Sequence, residues 1–184
     1  MPIEKLRRIV LASLMAALTA VGAYIYVPIG PVPIVLSTLF AILSGLLLGS
    51  RWGLTSMSLY LLVGAIGMPV FAGGKGGFAH FVGPTGGYLF GYLWASWITG
   101  FMSERSRGRM TLDILAVVLG SLTIYLFGVP WLKMVTKMSW QKAWIAGALP
   151  FLIGDAIKAC VVVILGRSVR PMLNRLFQSS SSCS

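Results

Sequence analysis

The sequence predicts an all-α integral membrane protein with six transmembrane helices, and two observations support this fold class. Of the 184 residues, 57% are hydrophobic and 10% are charged, and the mean hydropathy is +0.88, which is far from the composition of soluble domains. The apolar residues also fall into runs close to the roughly 20 residues that a bilayer-spanning helix needs. These runs exclude a sizeable soluble domain, and no Gly-rich stretch leads into Lys-Ser or Lys-Thr as a P-loop nucleotide site requires.

The first three spans are predicted at 9–26, 34–48 and 52–70. The first span is followed by Pro28, Pro31 and Pro33, which cannot continue a helix, so we expect a stiff loop there. Only a Gly-Ser-Arg turn at 49–51 separates the second span from the third. Such a short turn favours a helical hairpin.

Residues 71–87 contain seven of the 22 glycines and are predicted to form a loop, because glycine leaves the backbone too free for a regular helix. Backbone N–H groups of such a loop can approach a small ligand, and a plain connector is the alternative. A phosphate cradle is disfavoured because Lys75 is the one cation in the stretch. His80, the single histidine of the chain, is more readily a polar loop residue than a base, and we keep it among the ligand-binding candidates.

The last three spans are predicted at 88–102, 111–127 and 143–169. We expect Gly128 and Pro130 to interrupt the fifth span, before an amphipathic interface segment at 131–144. A single six-helix transmembrane domain is therefore predicted over 1–169. The segment 170–184 is basic and then Ser-rich, and we expect it to be disordered.

The cations predict the orientation of the chain. The 15 Lys and Arg residues give a net charge of +11, and they lie at the ends of apolar runs, which indicates topology and not nucleic-acid binding. With the N-terminus inside, the inner side holds Lys5, Arg7, Arg8, Arg51, Arg105, Arg107, Arg109, Arg167, Arg170 and Arg175. The outer side holds Lys75, Lys133, Lys137 and Lys142. The positive-inside rule thus predicts a multi-pass protein of a bacterial-type cytoplasmic membrane with both termini in the cytoplasm.

Asp155 and Lys158 are the charged residues that lie well inside an apolar run. An ionisable group at membrane depth costs a few kcal/mol or more, so it faces protein or water and needs a partner. Three residues apart on a helix, the two share a face and partly neutralise each other. They are either an ion pair that fixes helix packing or a pocket wall, and we predict a pocket wall.

No cofactor, metal or disulfide is predicted. Cys160 lies inside the last apolar run and Cys183 in the tail, so the two thiols occupy different environments. The chain has one histidine, lacks an HExxH motif and has no second carboxylate near Asp155, which argues against an intramembrane enzyme.

Ala12, Ala16 and Ala20 form a ridge of small side chains along one face of the first span. Small ridges let another helix approach closely, either within the protein or from a partner.

Five motifs together resemble one known family. They are GPVPI at 30–34, GLLLG at 45–49, GMPVFAGG at 67–74, GPTGGY at 83–88 and GDAIK at 154–158. In this order and spacing they resemble the BioY family, the biotin-specific substrate-binding (S) components of energy-coupling-factor (ECF) vitamin transporters. The resemblance covers about residues 8–166, and the chain departs from the expected pattern at Ser37, where we expect glutamine in the family.

The resemblance implies the six-helix ECF S-component fold, no enzymatic activity, and a biotin pocket near the outer face. The loop at Pro31, Val32 and Pro33 would cover the pocket. The protein would dock through the ridge Ala12, Ala16 and Ala20 on a transmembrane coupling subunit driven by two cytoplasmic ATPases. A homodimer of the isolated subunit is also compatible with the resemblance.

With biotin as the ligand that the resemblance implies, each candidate residue has an expected role. Asp155 would accept from a ureido N–H and Lys158 would donate to the ureido carbonyl. The carboxylate of biotin would lie near the outer loops, within reach of Lys75, Thr85, Tyr88 or backbone N–H groups such as those of Gly86 and Gly87. Tyr92 and Trp94 would pack against the rings and the aliphatic chain.

Two further alternatives remain. An S component for another vitamin, such as thiamin or riboflavin, would share the fold. A self-sufficient carrier is disfavoured because we find no internal repeat.

Overall fold

The computed structural model describes residues 3–28, 30–106 and 108–178, and in these ranges the chain is mainly helical. In chain order the elements are α1 (Ile3–Tyr24), β1 (Tyr26–Val27), β2 (Ile34–Val35), α2 (Ser37–Ala65), α3 (Ala79–Val82), α4 (Gly86–Ser106), α5 (Met110–Thr136), α6 (Trp140–Gly147) and α7 (Leu149–Gln178). The predicted all-α class is confirmed.

The helix α2 is broken at Gly49 into two antiparallel halves. Gly49 has φ 81° and ψ −179°, outside the helical region, and glycine adopts this left-handed φ without a Cβ penalty. A Cβ on Gly53 would lie 2.8 Å from the Cα of Gly45, although eight residues of straight helix would separate them by about 12 Å. The backbones of the two halves therefore touch, which is the predicted helical hairpin.

The helix α4 packs in the middle of the bundle, against both α2 and α5. A Cβ on Gly100 would collide with the α2 backbone at Gly49 and Ser50, and a Cβ on Gly91 would lie 3.0 Å from the Cα of Ile124 on α5. Glycine at these crossings lets the helix backbones approach closely, as is common between membrane helices. The contact with α2 fixes the hairpin against the rest of the bundle.

The alanine ridge of α1 is covered by the protein itself. Ala12 is 2% exposed and Ala16 is 6% exposed, and Ala20 packs against the same buried cluster. Nearby, a Cβ on Gly22 would lie 2.8 Å from the ring of Phe40 on α2. Ala12 and Ala16 therefore serve packing within the subunit, whereas Ala20 is only partly buried. The docking role expected for Ala12, Ala16 and Ala20 stays a prediction.

Two helices run past the ends predicted for them. α5 continues through Pro130 to Thr136, which is tolerated in membrane helices because neighbouring helices compensate for the lost backbone bond. α7 continues past 169 to Gln178, where the Arg170 side chain is bonded to other helices. The first part of the predicted tail is thus helical, and residues 179–184 lie outside the described ranges. The domain boundary at 169 stays a prediction.

The two ends of the bundle differ in character. Arg8, Gly49, Glu104, Gly108 and Arg170 line a groove at one end, which we call the basic end. The prolines after α1 and the Gly-rich loop lie together at the other end, which we call the cavity end. The proline loop after α1 and the Gly-rich loop thus lie at the same end of the bundle, as the predicted topology requires.

By length and composition, α1, α2 and α5 are able to cross a membrane, and the bent α6–α7 pair makes a fourth candidate within the described residues. With α2 divided at Gly49, the long helical rods are α1, the two halves of α2, α4, α5 and α7. The count of six spans agrees with these rods and stays a prediction.

Candidate ligand-binding site

A cavity of about 310 Å³ lies at the cavity end of the bundle, within the range typical of small-molecule sites. Helices α2, α4, α5 and α7 enclose it, and the β1–β2 hairpin and the Gly-rich loop lie over it.

The β1–β2 hairpin covers one side of the cavity. Tyr26 pairs with Val35 and Val27 with Ile34 in antiparallel register. The connecting residues Pro31, Val32 and Pro33 line the cavity as predicted. Proline lacks an N–H and has a fixed φ, so this connection is stiff.

A tight turn of the Gly-rich loop covers the other side. The N–H of Phe71 donates to the carbonyl of Lys75 at 2.8 Å, and Gly73 and Gly74 between them have φ of 72° and 70°. These left-handed conformations favour glycine. A Cβ on Gly73 would lie 3.2 Å from the ring of Tyr26, so the turn and the hairpin touch each other.

Asp155 and Lys158 form the polar floor of the cavity. The Lys158 ammonium lies 3.0 Å from Asp155 Oδ1, and it also donates to the carbonyl of Val35 at 2.9 Å and to the Thr38 hydroxyl at 3.0 Å. The Tyr125 hydroxyl donates to the other carboxylate oxygen, Oδ2. The two charged side chains are 15% and 14% exposed, so the predicted pair faces the cavity and is supported from α2 and α5.

Aromatic rings form the walls, and their hydroxyls are bonded to protein. Tyr92 hydrogen-bonds Ser37 at 2.9 Å, Tyr88 donates to the carbonyl of Gly147 at 2.7 Å, and Tyr60 donates to the carbonyl of Val70 at 3.1 Å. With these hydroxyls engaged, the walls offer a ligand mainly apolar surface.

Most predicted site residues come together at the cavity. Those that line it are Asp155, Lys158, Lys75, His80, Thr85, Tyr88, Tyr92, Pro31, Val32 and Pro33. They come from α4, α7, the hairpin and the Gly-rich loop, segments far apart in sequence.

Three predicted residues lie elsewhere. Trp94 is 48% exposed and stacks on Phe127 with ring centroids 6.0 Å apart, because two residues beyond Tyr92 is about 200° around a helix. Gly86 and Gly87 are packing points, where a Cβ would collide with the carbonyl of Phe81 or the side chain of Trp131. These three do not line the cavity, which corrects the contacts expected of them.

The sequence reasoning missed several residues of the site. The lining also includes Thr38, Tyr60, Phe71, Tyr125 and Phe151. Tyr125 contacts the carboxylate and so matters most for the chemistry, yet a tyrosine within an apolar run carries no signal of its own. The one available indication would have been that the Tyr125 hydroxyl is a polar group at nearly the same predicted membrane depth as Asp155.

Comparison with known proteins identifies the family of this chain. A family model described as the BioY family matches residues 1–175. The chain belongs to the BioY family. The resemblance to the BioY family noted from the five motifs is thereby confirmed.

Relatives in the BioY family are named as biotin transporters. A probable biotin transporter BioY of Pyrococcus horikoshii is 42% identical, over 90% of this chain and 98% of the relative. The biotin transporter BioY of Thermotoga maritima is 36% identical, over 91% of this chain and 98% of the relative. These relatives are transporters, in agreement with a multi-pass membrane subunit that is not an enzyme.

A solved structure shares the fold. The crystal structure of the S-component for biotin from an ECF-type ABC transporter matches with a TM-score of 0.87 and 30% identity, over 93% of this chain and 94% of the other. The predicted ECF S-component fold is confirmed.

Proposed function

We propose that this protein is a biotin-binding S component, which captures biotin at the extracellular face in the cavity above Asp155 and Lys158. The observation that carries the proposal is this partly buried ion pair on the floor of an aromatic-walled cavity, in a chain of the BioY family. An ionisable pair at membrane depth is costly unless it serves a ligand or a packing role.

The carboxylate of Asp155 suits the ureido N–H groups of biotin. Each of its oxygens accepts one hydrogen bond from the protein, from Lys158 or from Tyr125. A carboxylate has about four lone-pair sites, so Asp155 keeps acceptor capacity for the ligand. A charge-assisted bond to a buried carboxylate is about twice as strong as a neutral one.

Lys158 can serve the ureido carbonyl only by exchanging a partner. Its three protons point at Asp155, Val35 and Thr38, and an ammonium has no fourth donor. Thr38 is the partner to be replaced, because its hydroxyl also donates to the carbonyl of Val35 at 3.2 Å. A ligand without the carbonyl would leave Lys158 in its present bonds, so this contact discriminates less than the contact to Asp155.

Transport requires partners. We propose that the loaded subunit docks on a transmembrane coupling subunit driven by two cytoplasmic ATPases, which supply the energy for delivery across the membrane. The proposed location is the cytoplasmic membrane, with both termini inside.

Isothermal titration of the purified, biotin-depleted protein tests the ligand. Biotin is expected to bind tightly, and thiamin and riboflavin to bind weakly or not at all. Absence of heat with biotin, together with binding of another vitamin, would overturn the assignment of biotin.

The variant Asp155→Asn tests the floor of the cavity. It keeps the size of the side chain but removes the charge, so biotin affinity should fall at least tenfold, in line with the roughly 1–3 kcal/mol lost when a buried group loses its partner. Asp113→Asn is the matched control, because Asp113 is a buried carboxylate that interacts with Arg170 at the basic end. Equal affinities for biotin in the two variants would contradict the role of Asp155.

A further inference from the structure

The mouth of the cavity carries an unbalanced positive charge. Among the described residues that line the cavity, the charged ones are Lys75, Asp155 and Lys158. Asp155 and Lys158 neutralise each other at 3.0 Å. Lys75, exposed on the tight turn of the Gly-rich loop, is therefore left to face the entrance, where it favours a ligand with one negative group.

His80 lines the same cavity as Lys75. Its ring lies on α3 and meets the ring of Phe71 edge-on, with centroids 5.8 Å apart. Burial first, and then the charge of Lys75, lower the pKa of His80 below its ordinary value. The imidazole is therefore neutral near pH 7 and becomes a second cation on acidification.

The other titratable groups that line the cavity do not change its net charge between pH 5 and 8. Beyond the three charged residues, those lining the cavity are Tyr26, Tyr60, Tyr88, Tyr92 and Tyr125. Tyrosine is uncharged between pH 5 and 8. No carboxylate among the described lining residues other than Asp155 can stabilise a protonated His80, and Asp155 is paired with Lys158.

We propose that Lys75 and His80 form the subsite for the carboxylate of the ligand, and that His80 takes up a proton when the carboxylate binds. The inference rests on the proposed function, since biotin supplies both the ureido group for the floor and a single carboxylate for the mouth.

Linkage gives the sign of the pH dependence. A bound carboxylate favours the charged imidazole, so it raises the pKa of His80 above that of the free protein. Affinity then increases as pH falls through the window between the two pKa values, and it levels off once His80 is protonated in both states. A ligand carboxyl with an ordinary pKa of about 4.3 stays ionised throughout a titration from about pH 8 down to 5.5.

Because the chain has a single histidine, the protonation of His80 can be followed directly. With isotope-labelled histidine and any purification tag removed, an NMR titration should give a pKa of His80 that rises by about one unit when biotin is bound, and that does not rise with biotin methyl ester. An unchanged pKa with saturating biotin would overturn the proposal.

Calorimetry supplies the second readout. Biotin affinity should increase about three- to tenfold from pH 8 to pH 5.5 in the unaltered protein, whereas His80→Gln and the methyl ester should each give a flat profile. Lys75→Gln should weaken biotin at every pH while the dependence on pH remains. A pH dependence that is equal in His80→Gln and in the unaltered protein would refute the subsite, and a failure to bind biotin at any pH would refute the proposed function instead.

Discussion

Tyr125 and Lys158 each bond one of the two oxygens of the Asp155 carboxylate. One bond comes from α5 and the other from within α7, so the orientation of the carboxylate depends on how these two helices pack. Lys158 in turn reaches β2 through the carbonyl of Val35. The floor of the cavity and its cover are thus linked by a single ammonium group.

We propose that the hydroxyl of Tyr125 positions Asp155 for the ligand. In Tyr125→Phe the ring remains and the bond to Oδ2 is lost, so biotin affinity should fall about three- to tenfold, as expected for one hydrogen bond to a charged group. Tyr60→Phe is the matched control, because its hydroxyl bonds the carbonyl of Val70 and not Asp155. Titration calorimetry compares the two variants, and a larger loss in Tyr60→Phe would argue against the positioning role.

The break in α2 leaves a carbonyl that other helices satisfy. In an unbroken helix the carbonyl of Leu46 would accept from the N–H of Ser50, but that N–H donates to Glu104 at 2.8 Å. The Leu46 carbonyl accepts instead from Ser103 at 3.0 Å and from Arg170 at 3.1 Å. The hairpin is therefore stable because α4 and α7 bond its broken end.

Arg170 is expected to stabilise the basic end without affecting the ligand. Besides Leu46, it contacts the buried carboxylate of Asp113 at 3.3 Å. Arg170→Met should destabilise the protein by about 2–4 kcal/mol, because removing one partner leaves a buried charge uncompensated. Thermal unfolding in detergent should show a Tm lower by several degrees, with biotin affinity unchanged.

Two comparisons make the Arg170 experiment specific. Arg167→Met, at an exposed position of the same helix, should leave the Tm nearly unchanged. Adding Asp113→Asn to Arg170→Met removes the unpaired charge and should recover part of the lost stability. Equal Tm values for the Arg167 and Arg170 variants would contradict the interpretation.

At the scale of the whole molecule, the basic groove lies at one end of the bundle and the cavity at the other. The proposed orientation puts the basic end in the cytoplasm, where positive loops of membrane proteins concentrate.

Cysteine labelling tests this orientation. With Cys160→Ala and Cys183→Ser as background, Lys137→Cys should react with a membrane-impermeant maleimide in intact cells. Arg109→Cys should react only after the cells are permeabilised. The reverse pattern would overturn the proposal that both termini are cytoplasmic.

The features that could be predicted from the sequence are those marked by charged residues and by glycine. Asp155 and Lys158 stand out because charge is rare in apolar runs, and Gly49 marks a break that few other residues tolerate. The contacts of the alanine ridge could not be decided from the sequence, since small side chains fit an internal helix as well as a partner. Trp94 and Tyr125 show the same limit, because residue type alone does not tell which face of a fully apolar helix meets a cavity.

The first half of α2 is too short to cross the hydrocarbon core of a membrane by itself. Residues 37–48 precede the break at Gly49 and rise about 18 Å, against a hydrocarbon core of about 30 Å. In the proposed orientation, the β1–β2 hairpin and the cavity would occupy the remaining depth above this half-helix. A bound ligand would then complete the part of the protein that crosses the membrane at this point.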